Sequence, residues 1–130
     1  MTRKFLVFTI MLFALMSIYP LAIKANDARI AVASEGTTAD APISIQAARC
    51  PYFLLFNNQG QLVEAVANPL SREARGAGPQ VVEFLSGKGV HTVVAGEFGA
   101  RMITAMKQKD MVFYTETGSA ADAVARLQTP

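Results

Sequence analysis

Cys50 and His91 are the only cysteine and the only histidine in this chain of 130 residues. Thiolate and imidazole are the usual protein donors to iron, copper and zinc, so any metal chemistry here has few soft or borderline ligands to draw on. A lone cysteine cannot close an internal disulfide. It is buried, free and reactive, metal-bound, or bridged to a second chain. Cys50 has two readings: it holds one edge of a cluster or an ion shared across a dimer, or it packs at the start of a strand. Pro51 beside it fixes the local backbone under either reading. His91 lies within the apolar run Val90–Ala95, away from the glycine-rich turns, where an edge position or a hydrogen-bonded side chain is the ordinary role. Met102, Met106 and Met111 are soft donors of a kind that suits copper, but their spacing fits the inward face of a helix.

A second group of residues suggests anion chemistry. Arg49, Arg72, Arg75 and Arg101 lie in or beside segments expected to be loops. Gly76-Ala77-Gly78 and Gly96-Glu97-Phe98-Gly99 each precede a helical pattern. Glycines there would leave backbone N–H groups open at the positive ends of two helices, which attract anions. With guanidinium groups nearby, the ligand would be an oxyanion, a phosphate or an anionic metal cluster. The alternative is that the glycines permit tight turns and the arginines are solvated. Glu97 and Glu116 are hard ligands, counter-charges or solvated surface groups at the same ends. Catalysis finds no comparable support. Two-metal hydrolysis needs several gathered carboxylates, yet the first strand carries none. No Ser-His-Asp set, CxxC pair, phosphate-binding loop of the nucleotidase type or dinucleotide fingerprint is present. The expectation is a non-enzyme.

The elements that must position these residues alternate between strand and helix. Arg29–Ser34 reads as a buried strand that ends at Glu35-Gly36. Residues 37–48 read as loop, with Pro42 inside. Tyr52–Phe56 and Gln61–Ala67 form a hairpin about Asn57-Asn58-Gln59-Gly60. Pro79 suits the first turn of a helix whose apolar residues are Val81, Val82, Phe84 and Leu85, and Gly87 and Gly89 stop it. Val90–Ala95 is a fourth strand, Ala100 to about Lys109 a helix with Met102, Ile103 and Met106 inward, and Met111–Tyr114 a fifth strand. Ser119 caps a last helix that buries Ala123, Val124 and Leu127. This order gives an α/β fold: a mixed sheet of about five strands, with one antiparallel hairpin and strands joined by helical crossovers.

Residues 1–25 read differently. Arg3 and Lys4 precede the uncharged run Phe5–Ile23, Pro20 breaks that run, and Ala25 offers a small residue before Asn26. This is the layout of a signal peptide for export, with cleavage after Ala25. The alternative is an uncleaved anchor in which residues 5–23 hold the protein to a membrane. The expected location is therefore periplasmic or secreted, with membrane association only through that segment. The chain carries 12 Lys+Arg and 10 Asp+Glu. Three of the bases (Arg3, Lys4 and Lys24) fall within the signal, leaving about nine bases against ten acids. No net positive charge then remains to argue for nucleic acid. About 105 residues suffice for one core.

Five pieces occur in one order and register: Arg49-Cys-Pro-Tyr-Phe53, the hairpin, Gly76-Ala-Gly78, Gly89–Gly99 and Tyr114-Thr-Glu-Thr-Gly118. Together they resemble the dinitrogenase iron–molybdenum cofactor biosynthesis domain, over residues 29–127. The resemblance implies a small α/β domain of ribonuclease H-like topology that binds or carries a metal–sulfur cofactor, here an iron–sulfur or molybdenum-containing cluster. It points to Arg49, Cys50, Arg75, Gly76, Gly78, Gly96 and Gly99 as ligand-binding, with Cys50 as the metal ligand. The chain also departs from the family pattern. The histidine of the segment before Arg49 is replaced by Gln46, its aromatic and glycine by Ala47 and Ala48, and the histidine before Gly-Ala-Gly by Arg75. Cofactor assembly of the nitrogenase kind is cytoplasmic, so the export signal agrees with Gln46 and Arg75 that the fold was kept while the ligand chemistry changed. The alternative function is an exported interaction module, pairing with itself as a homodimer or with an envelope protein.

Overall fold

A computed structural model gives the structure of residues 27–129; the export segment expected at residues 1–25 lies outside them. The organising element is β1 (Ile30–Ser34), a run of small and β-branched residues buried at all five positions. A strand buried on both faces must have neighbours on both edges and layers on both sides. β1 has them. It pairs antiparallel with β2 (Tyr52–Phe56), register Ile30↔Phe56, and parallel with β4 (Thr92–Ala95), register Ile30↔Thr92. β3 (Leu62–Ala67) returns antiparallel to β2, and β5 (Val112–Thr115) adds parallel to β4. The strand order is β3-β2-β1-β4-β5, a mixed five-stranded sheet.

The period-2 alternation of the strands sorts the core into two layers. Ala31, Ala33, Phe53, Leu55 and Val93 face α1 (Ala77–Gly87) and α2 (Ala100–Gln108), which supply Val81, Val82, Leu85, Met102 and Met106. Ile30, Val32, Leu54, Phe56 and Val94 face α3 (Ala120–Gln128), which supplies Ala120, Ala123 and Val124. The helices α1 and α2 cross closely. A Cβ on Gly78 would lie 2.9 Å from Met102 Cβ and 3.2 Å from its Cα, so only glycine allows this approach.

The architecture is the expected mixed α/β fold, with some shifted boundaries. The fourth strand starts at Thr92, and His91 is exposed rather than inside a buried run. Its N–H and that of Thr92 both donate to Arg29 O, so the chain is still turning into the ladder there. The fifth strand starts at Val112, because Met111 N–H donates back to Met106 O and closes the helix before it.

The three helix starts differ. The Ser119 Oγ accepts from Asp122 N–H at 3.1 Å, and Asp122 adds a carboxylate to the first turn of α3. Neither α1 nor α2 has a side-chain cap or a first-turn acid. Ser119→Ala should therefore lower stability by about 1 kcal/mol in urea denaturation. Gly78→Ala should cost about 1–3 kcal/mol by overpacking. Gly99→Ala, where nothing lies within 4 Å but the residue is the N-cap of α2, should cost less than Gly78→Ala, about 0.5–1 kcal/mol.

Candidate functional site: a cleft between two helix N-termini

The loops that leave β1, β3 and β4 gather at one end of the sheet. The loop after β1 is zipped to the loop after β4: Gly96 N–H donates to Ser44 O at 2.9 Å, Glu97 N–H to Ile45 O at 2.7 Å, and Ala47 N–H to Glu97 O at 3.2 Å. This makes a short parallel bridge between Gln46 and Glu97. The two backbones approach so closely that a Cβ on Gly96 would lie 2.7 Å from Ile45 Cα. On its other side the same segment reaches the loop before α1. The Arg49 Nε donates to Glu73 O at 3.0 Å and its Nη2 to Ala74 O at 3.2 Å. Gly76 then turns into α1 at φ 71°, in the left-handed region that favours glycine.

Between these walls lies a cleft of about 500 Å³. One wall is residues 45–49, a second is the start of α1 at Gly76–Pro79, and a third is Glu97–Met102 at the start of α2. Both helix N-termini therefore open onto one space. Their first-turn N–H groups have no side-chain cap to satisfy them. Arg49 and Arg101 add guanidinium groups, and Glu97 adds one carboxylate. Among the described residues, Arg49, Arg101 and Glu97 take part in no ion pair. Glu116, by contrast, is engaged by Arg126 at 2.9 Å. Part of the lining is apolar: Ala47, Phe98 and Met102, with Phe98 backed by the Phe113 ring at 5.1 Å.

Of the residues expected to bind a ligand, Arg49, Gly76, Gly78 and Gly99 line the cleft. Gly78 and Gly96 each have a packing reason to be glycine: the helix crossing and the loop zipper. Gly96 lies behind the cleft and Arg75 on the exposed loop before Gly76. Cys50 is not in the cleft. It has no exposed surface and sits in the core beneath the sheet's helical layer. Burial pushes its thiol up to about 12, against weaker opposing hydrogen bonds that include one from Asn68. His91 lies at the opposite end of β4, its Nδ1 2.9 Å from Thr92 Oγ1. Among the described residues, no three His, Cys, Asp or Glu side chains come together as a metal site. The donors present thus fit an anion held by N–H groups and guanidiniums. They do not fit a metal bonded directly to this chain. Ile45, Phe98 and Met102 escaped sequence reading as cleft residues, because an apolar lining looks like core in a sequence.

The Cys50 thiol should be inert to an aromatic disulfide reagent at pH 8 in the native protein and react stoichiometrically in denaturant. Its raised native value also gives stability a sign. From pH 9 to 12 the unfolded chain sheds the proton that the folded chain keeps, so stability falls as pH rises. The slope is up to about 1.4 kcal/mol per pH unit, and Cys50→Ala should flatten it in alkaline denaturation curves.

Among solved structures, the chain is similar to a NifB-like protein of the DUF35 family from Thermotoga. Identity is 31% and the TM-score 0.65, over 77% of this chain and 86% of that one. It is also similar to the orange protein from Desulfovibrio gigas, solved in its apo form: 25% identity and TM-score 0.70, over 79% of this chain and 91% of that one. No curated protein matches the chain. The model of the family described as dinitrogenase iron-molybdenum cofactor matches residues 28–129, the whole sheet with its three helices, and the chain belongs to that family.

Proposed function

We propose that this domain is a non-catalytic binding or carrier module that holds an anionic ligand in the cleft between α1 and α2. The supporting observation is the meeting, on one space of about 500 Å³, of two uncapped helix N-termini and two guanidinium groups that form no ion pair among the described residues. A helix N-terminus is worth about 0.3–1 kcal/mol to a nearby anion, more when partly buried. A charge-assisted hydrogen bond adds about 1.5–3 kcal/mol. The single Glu97 opposes these and does not cancel them. Membership of the dinitrogenase iron-molybdenum cofactor family supports a metal–sulfur cluster or a molybdenum oxyanion as the ligand class. A cluster would be held by charge and hydrogen bonds through Arg49, Arg101 and the first-turn N–H groups, with its metal bonds supplied from within the ligand. Arg3, Lys4 and the uncharged run 5–23 support placing this module outside the cytoplasm.

A second reading, an exported interaction module, draws on Ile45. This residue is 64% exposed at the rim of the cleft, the most exposed large apolar side chain among the described residues. A ligand site and a docking rim are compatible if the module passes its ligand to a partner.

The deciding measurement is a thermal-shift and calorimetric panel of molybdate, tungstate, phosphate and sulfate on the purified domain, with metal analysis after anaerobic purification. At least one anion should raise the midpoint, with affinity falling as sodium chloride rises to 0.5 M, where screening is strong. Arg101→Ala should weaken binding about tenfold or more, the loss of one charge-assisted contact. A protein that retains no metal and shifts with no anion would refute the binding reading.

A further inference from the structure

We propose that Asn68 is the positioning residue of the cleft, a buried clasp that fixes the loop before α1 against residues 48–51; its link to ligand affinity rests on the anion-binding reading above. Asn68 follows the last residue of β3 and is 4% exposed, in surroundings that would suit an apolar side chain. Every polar atom it has is engaged. Its Nδ2 donates to Ala48 O at 2.8 Å and to Cys50 O at 2.9 Å, and its Oδ1 accepts from Leu70 N–H at 2.9 Å. Its own N–H donates to Pro51 O at 3.0 Å, and its carbonyl accepts from Ser71 N–H at 3.4 Å. One side chain thus stitches two segments that are about twenty residues apart in sequence.

The clasp has a second point. Arg49 takes Glu73 O and Ala74 O on the exposed side of the same loop. Asn68, Glu73 and Ala74 are thus tied directly to residues 48–51, Leu70 is tied to them through the Asn68 side chain, and Gly76 comes two residues after Ala74. The Gly78–Met102 contact sets how the helices cross. It does not set the loop that carries the chain into Gly76, nor the height of Arg49. Those depend on the clasp. Because residues 44–47 are zipped to Gly96 and Glu97, residues 44–51 join the other two walls of the cleft to each other. A buried amide with all its partners specifies one arrangement of backbone in a way that an apolar side chain of equal size does not.

Asn68→Ser separates the roles. A serine Oγ can still accept from Leu70 N–H in a local turn, but it cannot reach the carbonyls of Ala48 and Cys50. Val124→Ala, in the opposite core layer, serves as a destabilised control remote from the cleft. Two measurements are made on wild type and both variants, well below their unfolding midpoints: amide hydrogen exchange, and affinity for molybdate by calorimetry. In Asn68→Ser, exchange should quicken selectively over residues 70–77. Molybdate affinity should fall about tenfold, as for a loop that is competent only about a tenth of the time. Val124→Ala should bind as wild type does. Unchanged exchange over 70–77, or an equal rise across the whole sheet, overturns the clasp. Faster exchange over 70–77 with wild-type affinity overturns the positioning role. If the wild type binds none of molybdate, tungstate, phosphate and sulfate, the anion reading of the cleft fails, and the exchange result still decides the clasp; if it binds another of these and not molybdate, that anion takes molybdate's place in the affinity measurement.

Discussion

Ala31, Val32 and Ala33 have no exposed surface, and the placing of the site follows from that burial. A strand enclosed on both faces and both edges becomes the centre of the sheet, and β1 is where the sheet changes character. To one side lies the antiparallel hairpin, to the other the parallel pair β4 and β5. The chain leaving β1 must turn toward β2, while the chain leaving β4 turns the other way into α2. Two loops that diverge from adjacent parallel strands open a crevice between them at the carboxyl ends. This is the general location of ligand sites in open α/β sheets. The cleft between residues 45–49 and 97–102 is that crevice. The zipper between Ser44–Ala47 and Gly96–Glu97 holds it to a fixed width.

What such a crevice binds depends on the groups that line it. Thiolate and imidazole, where present, would bond a metal; here they have been removed from the space. Gln46 and Arg75 stand where the family resemblance leads one to expect histidines, Cys50 is sealed in the core, and His91 is at the far end of β4. The remaining groups are backbone N–H donors and guanidiniums. Both act at a distance, tolerate a range of anion shapes, and are screened by salt. A site of that kind discriminates by charge and size more than by coordination geometry. Under the proposed anion-binding reading, a ligand would leave without breaking a metal–protein bond, which suits a carrier better than a storage site.

Much of this was legible in the sequence, for identifiable reasons. β1 and β2 are short apolar runs bounded by turn residues, and those boundaries mark both strands to within one residue. The helix starts announced themselves through Gly76–Pro79, Gly99 and Ser119. The gathering of Arg49, Gly76, Gly78 and Gly99 at one place followed from the order of strands and loops. The depth of Cys50 did not, because nothing in Arg-Cys-Pro-Tyr tells whether the thiol faces the loop or the core. In sequence Gly96 looks like a donor at a helix start; its actual constraint is the backbone of Ile45, about fifty residues earlier, a contact that only the fold creates. Asn68 comes directly after the last residue of β3 and before Pro69, so its sequence context marks no more than a strand end. Its partners at Ala48 and Cys50 lie on a separate segment, and local sequence carries no mark of them.

Asn68 and Cys50 also explain each other. The amide donates to the Cys50 carbonyl at 2.9 Å and lies 3.8 Å from its Sγ, while the thiol points toward Ala47 O at 3.8 Å. A small, weakly polar side chain fills this corner and makes only long contacts of that kind. A thiolate there would lose its hydration without a cation in return, so the burial that holds the thiol neutral also keeps it from metal and from oxidant. In an oxidising compartment a lone exposed cysteine would invite a bridge to a second chain. Packed under the clasp, Cys50 cannot form one without opening the loop that carries the cleft. The residue that looked most like chemistry in the sequence therefore serves the site indirectly, as part of the packed ground on which Asn68 and Arg49 hold the wall of the cleft in place.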